Sequence, residues 1–354
     1  MKTQNYEEII QSIVIPSGLS TEEQSKRYQP LINFLQTETP PLLYRFRRCD
    51  ENSISAFDQD QIWFAPSSEM NDSFDSLLFV DRDKIHANLK NFLDSFQDGL
   101  PSFKVENIPS NILESLRNKF SNMDQIGIAD FKEHFHQFVT DRINIYMPQI
   151  EHIIQSVIKF ACFSESIDSA AMWGYYADSG KGFALAYDFR NQNYADCTYC
   201  DKRMFCRSLK LCSLFRVIYE DIPFDATEYG TWLLQNKIIY DMLATNQSMN
   251  VSSIPKQVIS CQDEFAYTKA LLHKATSWSH EKEWRLTYSC AQQIGEQPKF
   301  VNAKKRPSAL YMGQHISPIY EKILRHIAAE KSIPVYKMDM NYTQESYKLV
   351  PYQV

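Results

Sequence analysis

The chain has 354 residues, 44% of them hydrophobic and 23% charged, with a formal net charge of −6 and a pI near 5.8. That length can bury a large core, the balance is that of a folded globular protein, and the acidic total gives no overall basic field for sequence-independent binding to a nucleic-acid backbone. Nine glycines with no G-x-G-x-x-G and no G-x-x-x-x-G-K-[ST] leave out a Rossmann pyrophosphate loop and a P-loop, while 22 Phe, 20 Tyr and 5 Trp offer aromatic faces for a ligand instead. No apolar run reaches the length of a membrane-spanning helix. The opening Met1-Lys2-Thr3-Gln4-Asn5-Tyr6-Glu7-Glu8 lacks the apolar core of a signal peptide, so the expectation is a cytoplasmic protein without a membrane partner. Four of the eight cysteines, Cys197, Cys200, Cys206 and Cys212, form a C-x2-C-x5-C-x5-C run. Structural zinc sites use two short knuckles separated by a longer loop, so reduced thiols and no metal centre are expected.

Residues 1–41 read as a helical N-terminal cap, with Tyr6, Ile9, Ile10 and Ile13 at helical spacing and Leu31, Phe34 and Leu35 following Pro30. Pro40-Pro41 ends it, and residues 42–354 are expected to form one α+β domain. Leu42 to Arg48 alternates as a strand, with Arg45 and Arg47 on one face: paired surface arginines of an edge strand, or a grip on a phosphate or carboxylate. Ile62-Trp63-Phe64-Ala65-Pro66 is a short aromatic strand running into a loop that carries Asn71, Asp72 and Asp75, which serve a turn or line a pocket.

From about 83 to 160 the periodicity is helical: Ile150, Ile153, Ile154, Val157 and Ile158 mark one helix, and Phe131, Phe135, Phe138 and Val139 another. His134, His136 and His152 have no carboxylates at ligand spacing. Lys159 to Ser166 is a strand ending in Ser-x-Ser. A short helix with Trp173 and Tyr176 follows, then the turn Asp178-Ser179-Gly180-Lys181-Gly182, rich in residues that tolerate positive φ, and an apolar central strand, Phe183 to Phe189. Phe215 to Tyr219 is a strand before a second helical insertion at about 227–275. Ala309 to Gly313 is another. Ser317-Pro318 opens a helix with an apolar face of Ile319, Ile323, Leu324, Ile327 and Ala328, and Pro334 to Met338 and Tyr347 to Val350 close the chain as strands. The sum is a central mixed, mostly antiparallel sheet with large helical insertions.

Trp278 to Leu286 carries the densest chemistry. As a strand it puts Lys282, Trp284, Leu286 and Tyr288 on one face and Glu281, Glu283, Arg285 and Thr287 on the other. A solvated salt-bridge ladder is one use of such a face; stabilising a developing positive charge is another.

Several stretches resemble the bacterial domain-of-unknown-function 2971 family over about residues 42 to 350. They are Leu43 to Arg47, Trp63 to Pro66 with Asn71 to Asp75, Phe163-Ser164 leading to Met172 to Ala177, Lys181-Gly182-Phe183, Lys274 with Trp278, Glu281 to Arg285 and Leu310 to Gly313. Ser73 stands where that family usually has proline. The resemblance brings no established activity. The order of an early arginine, a Ser-x-Ser and a Glu-x-Glu is also similar to the ADP-ribosyltransferase type, which implies a variant of that fold with NAD as substrate. In that reading Glu283 stabilises an oxocarbenium-like ribose, Glu281 orients or deprotonates the acceptor, Arg47 pairs with the pyrophosphate, and Ser164 and Ser166 support a nicotinamide pocket beside Trp173 or Tyr176, with Lys274 and Arg285 nearby. The acceptor would be a protein or nucleic acid, a neutralising partner protein is expected, and a toxin or anti-phage defence role follows from the family's general character. Two other readings stand beside it: a Mg²⁺-dependent nuclease or hydrolase using Asp72, Asp75, Glu281 and Glu283, and a non-catalytic ligand-binding module.

Overall fold

A computed structural model describes residues 5–72, 74–76, 79–94, 137, 140–149, 159–190, 196–197, 214–244, 259–288, 301–341 and 348–354. The chain is α+β, built on a mixed, mostly antiparallel sheet. Its strands are β1 (Leu43–Arg47), β2 (Gln61–Pro66), β3 (Lys159–Ser164), β4 (Phe183–Tyr187), β5 (Asp196–Cys197), β6 (Leu214–Arg216), β9 (Glu283–Tyr288), β10 (Val301–Lys304), β11 (Ala309–Met312), β12 (Val335–Met340) and β13 (Leu349–Gln353). The order is β13-β12-β11-β4-β1-β3-β2-β10-β5, with β9 on β3 and β6 on β9. In this sheet only β11 and β12 run parallel among the described strands. A separate parallel pair joins β7 (Ile218–Tyr219) to β8 (His273–Lys274).

β3 sets the geometry of everything that follows. Along one edge it pairs with β9 from Lys159↔Tyr288 to Ser164↔Glu283. Its other edge is shared: β1 meets it at Tyr44↔Ser164 and β2 at Ala65↔Phe160 and Pro66↔Lys159. β1 and β2 therefore diverge from a common neighbour and leave a fork between them. β1 is an interior strand, held on its other side by β4 over five residue pairs from Leu43↔Tyr187 to Arg47↔Phe183. The edge-strand expectation for Arg45 and Arg47 is thus corrected.

Alternation along these strands feeds two apolar layers. Leu43, Phe163, Leu185, Tyr187, Trp284 and Leu286 join Ile9 and Ile10 of α1 (Tyr6–Ser12) and Leu31 and Leu35 of α2 (Thr21–Glu38) in the larger one. The N-terminal cap is therefore part of the main core. Ser20 and Glu23 start α2 with reciprocal capping bonds, and the helix runs on through Pro30. The opposite layer holds Phe46, Ala184, Ala186, Tyr311 and Met338 with Met172 and Trp173 of α5 (Ala170–Tyr176). β4, read as central from its unbroken apolar run, is buried at all five positions.

The helical insertions meet each other. α4 (Arg82–Asp94), the helical stretch 140–149 and α6 (Thr227–Ala244) bury Ile85, Leu89, Ile143, Met147, Leu234 and Ile238 in a satellite core. The expected helices carried by Phe131, Phe135 and Ile150 to Ile158, with His134, His136 and His152, lie outside the described residues. So do Cys200, Cys206, Cys212 and the side chain of Cys197. Among the described residues no helix is long and apolar enough to cross a membrane.

Three sequence expectations change. The strand read from Phe215 to Tyr219 breaks at Val217, whose N–H donates to the Glu283 carbonyl at 2.9 Å, so that β6 continues the main sheet and β7 leaves it for β8. The strand read through Trp278 begins only at Glu283. Thr276–Glu281 is a 3₁₀ helix, and Lys282 turns the chain in the left-handed region (φ 45°, ψ 53°). On α8 (Pro318–Glu330) the buried face is narrower than the sequence pattern: Leu324, Ile327 and Ala328 are inside, whereas Ile319 is 67% exposed.

The turn after α5 has positive φ at Asp178, Ser179 and Gly180, as its composition predicts. Just beyond it, a Cβ on Gly182 would run into the backbone carbonyl oxygen of Arg47. That contact sets how closely the end of β1 sits against β4. A Gly182→Ala chain is expected to lose ~2 kcal/mol or more of stability, because the obstacle is backbone and cannot swing aside. Urea unfolding measures it, and a wild-type midpoint would contradict the close packing.

Candidate functional site

A cavity of about 410 Å³ opens at the fork, lined from β1, β2, β3, β4, the loop after β2, α5, β8 and the Glu281–Glu283 turn. Its lining draws on both apolar layers, Tyr44, Phe46 and Met172 from one and Phe163, Leu185 and Tyr187 from the other. Most of it is apolar, and its charged groups gather at two ends.

One end rests on Arg285, which is 0% exposed. Its guanidinium grips Asp75 with two parallel bonds, Nη1 to Oδ1 at 2.8 Å and Nη2 to Oδ2 at 2.7 Å. It also reaches Glu283, Nε to Oε1 at 2.9 Å and Nη2 to Oε2 at 3.2 Å. Its face lies over the Phe160 ring, 4.5 Å from the centroid, and Nη1 further donates to the Leu271 carbonyl. A planar five-donor fork is the side chain that can satisfy two carboxylates and a carbonyl at once. Lys274, on the two-residue strand β8, closes the network: Nζ is 2.5 Å from Glu281 Oε2, 3.1 Å from Glu283 Oε2 and 3.9 Å from Asp75 Oδ2. Trp278 covers that ammonium at 4.9 Å.

The two glutamates sit in different fields. Burial opposes charge on Glu283, but Arg285 and Lys274 outweigh it and hold the carboxyl down at about 2. Burial dominates at Glu281 and pushes it above the ordinary 4.5, with Lys274 opposing and Glu283 adding to the rise. Its Oε1 accepts the Tyr176 hydroxyl, and the Asn71 amide donates to that same hydroxyl at 3.1 Å. Burial and the Glu281 hydrogen bond raise the Tyr176 phenol. Two adjacent carboxyls pushed apart are the arrangement of an acid–base pair.

The serines work through the backbone. Ser164 Oγ donates to the Glu281 carbonyl at 2.6 Å, and the Ser166 N–H donates to Ser164 Oγ at 3.2 Å. Ser164 lines the cavity and pins the turn that carries Glu281; Ser166 is outside the lining. Together with the left-handed Lys282, this brings Glu281 and Glu283 to one ammonium although they do not share a strand.

The other end holds Arg45 and Arg47 on β1, facing Asn52 and Ser53 in the first turn of α3 (Glu51–Asp58). Arg45 Nη2 donates to the Trp63 carbonyl, tying β1 to β2 across the fork. Its guanidinium stands over Phe163 at 5.6 Å. Cys162 lines the wall between the ends, and burial raises its thiol well above the usual range, with Glu283 adding to the rise.

Of the residues singled out in the sequence, the structure brings Arg47, Asn71, Asp75, Ser164, Tyr176, Lys274, Glu281 and Glu283 to this cavity. Trp173 does not join them. It is buried edge-on to Phe46 at 5.1 Å, with Nε1 donating to the Ile167 carbonyl at 2.8 Å, so of the two aromatic residues offered for the pocket, Tyr176 is the one that reaches the cavity. Asp72 lies outside the lining and accepts the Phe74 N–H at 2.9 Å. Arg285 lies behind the wall as the clamp of the two acids. Arg45, which the alternation of β1 marks as fully as Arg47 but which the NAD reading left aside, also lines the cavity, as do Asn52 and Cys162, which give no signal in the sequence.

Residues 172–286 match the model of a family described as Protein of unknown function (DUF2971). The matched stretch holds Lys274, Glu281, Glu283 and Arg285 and stops short of β1, β2 and β3. No curated protein and no solved structure matches the chain.

The network makes a pH prediction. Glu283 is lower in the folded chain than the ordinary 4.5 of an unfolded one, so its stabilisation is fully present above about pH 4.5 and is lost as the pH falls through about 2. A Glu283→Gln chain should show a flatter loss of stability across that acid window in denaturant titrations. An identical acid limb would contradict the assignment.

Proposed function

We propose that the cavity binds NAD and that the chain is an NAD-consuming enzyme of the ADP-ribosyltransferase type. The observation that carries the reading is the placement of Arg47, Ser164, Glu281 and Glu283 around one cavity, on neighbouring strands β1, β3 and β9 and the turn entering β9. The phosphates would lie toward Arg47 and the ribose toward the glutamates. When the ribose–nicotinamide bond breaks, its electron pair leaves with nicotinamide and positive charge develops on the ribose. Glu283, ionised throughout, contributes negative potential, although Arg285 and Lys274 already neutralise much of it. Glu281 has the free capacity. Its raised carboxyl can take the proton of the attacking water or acceptor hydroxyl, and its bonds to Tyr176 and Lys274 hold it in place.

The Mg²⁺ reading receives less support. Asp75, Glu281 and Glu283 do converge, but the position a divalent ion would take among them is filled by the Lys274 ammonium, and Asp72 points elsewhere.

Nicotinamide release from NAD, followed by chromatography with protein and nucleic-acid acceptors present, tests the proposal. Glu281→Gln, which keeps the shape and one of the two accepting oxygens but cannot take a proton, should lower the rate by about 100-fold or more while NAD affinity stays within a few-fold. NAD left intact after prolonged incubation with the wild-type chain would contradict it. NAD binding without turnover would leave a ligand-binding module.

A further inference from the structure

We infer that Arg45 is the anchor of an anion subsite at the end of the cavity remote from the glutamates, and that the subsite takes a diphosphate. The inference shares the cavity with the NAD reading but stands on a separate observation. Arg45 is 9% exposed, yet its Nη1 is buried with no hydrogen-bond partner. Three other buried cations contrast with it: Lys269 pairs with Asp263 at 2.9 Å, Lys274 with two glutamates, and Arg285 with Asp75 and Glu283. Arg45 has the Trp63 carbonyl, the Phe163 face and an empty fork arm. Burial, with Arg47 repelling it, pushes the guanidinium down to about 9. A guanidinium does not give up its proton under ordinary conditions, so that depression marks a desolvated cation without a counter-ion.

A buried unpaired charge costs stability, and a chain keeps one where a ligand completes it. The surroundings favour an anion. Arg47 lines the same wall two residues along the strand, ~6.6 Å away by strand rise, and burial depresses it too. Asn52 and Ser53 offer polar side chains at the positive end of the eight-residue helix α3. Asp50, the carboxylate that acts on Arg47, is engaged in capping, its Oδ1 accepting the Ser53 N–H at 2.8 Å. A single carboxylate carries one charge for two guanidiniums. A diphosphate within a diester carries two charges, one for each, and its oxygens are spread widely enough to meet both.

Titration calorimetry at low salt with inorganic pyrophosphate, phosphate and acetate tests the subsite. Pyrophosphate should bind at least tenfold tighter than phosphate, and acetate should give no heat. Arg45→Met should lose pyrophosphate affinity at least tenfold, and its ligand-free melting temperature should match or exceed that of the wild type. Arg45→Lys, which keeps the charge without the fork, should fold as the wild type and also lose tenfold. No pyrophosphate binding by the wild type, a lower-melting or unfolded Arg45→Met, or wild-type affinity in Arg45→Lys would each overturn the assignment. Pyrophosphate binding beside intact NAD would keep the subsite and end the NAD reading; NAD cleavage without pyrophosphate binding would do the reverse.

Discussion

The buried grip of Arg285 on Asp75 and Glu283 is the constraint on which the rest of the site depends. It ties a loop residue after β2 to the first residue of β9, 210 positions apart for the Asp75 contact. A buried ion network of this kind is weak evidence for net stability, because desolvation offsets much of the Coulombic gain. Breaking it is another matter. Removing one partner leaves an uncompensated charge in the interior, at about 3–5 kcal/mol. What the network supplies is position: with Arg285 in place, Glu283 stays ionised, Lys274 is drawn between the acids, and Glu281 is left as the carboxyl with a raised affinity for a proton.

The two ends of the cavity differ in how completely they are satisfied. At the Arg285 end each carboxylate and each cation has several partners. At the β1 end two guanidiniums face the cavity, and no carboxylate among the described residues bonds to Arg45. The fork in β3 explains why both ends share one space. β1 and β2 cannot pair with each other while each takes part of the same edge, so a gap opens between them, and Arg45 bridges it through the Trp63 carbonyl. The Gly182 contact on the far side of β1 fixes how far that strand can move.

Much of this was legible before the structure. The unbroken apolar run of β4 marked a central strand, the Asp-Ser-Gly turn marked positive φ, and Glu281 with Glu283 marked a shared polar focus. That last expectation reached the right meeting point by a different geometry. A continuous strand would have put both acids on one face, whereas the chain uses a 3₁₀ turn and a left-handed lysine, for which Lys282 gives no local signal. β8 is two residues long and pairs with β7 in a sheet of its own, so no periodicity could place Lys274 between the glutamates. Trp173 looked like a stacking platform because aromatic residues serve cores and ligands alike. Ile319 and Ile323 look like core residues on a helical wheel, and only the packing of α8 shows that its inner face is narrower. The choice between Arg45 and Arg47 could not be made from alternation, since both side chains lie on one face of β1; it needed the hydrogen-bond inventory of the folded chain.

The account's central claim is that one cavity joins an arginine end that holds phosphates to a glutamate end that holds the reacting ribose. A crystal structure of the Glu281→Gln chain with NAD tests it most directly. The diphosphate should lie within hydrogen-bonding distance of Arg45 and Arg47, with the nicotinamide ribose beside residues 281 and 283. A cavity empty at saturating NAD, or a dinucleotide bound with its diphosphate at the Lys274 end, would contradict it.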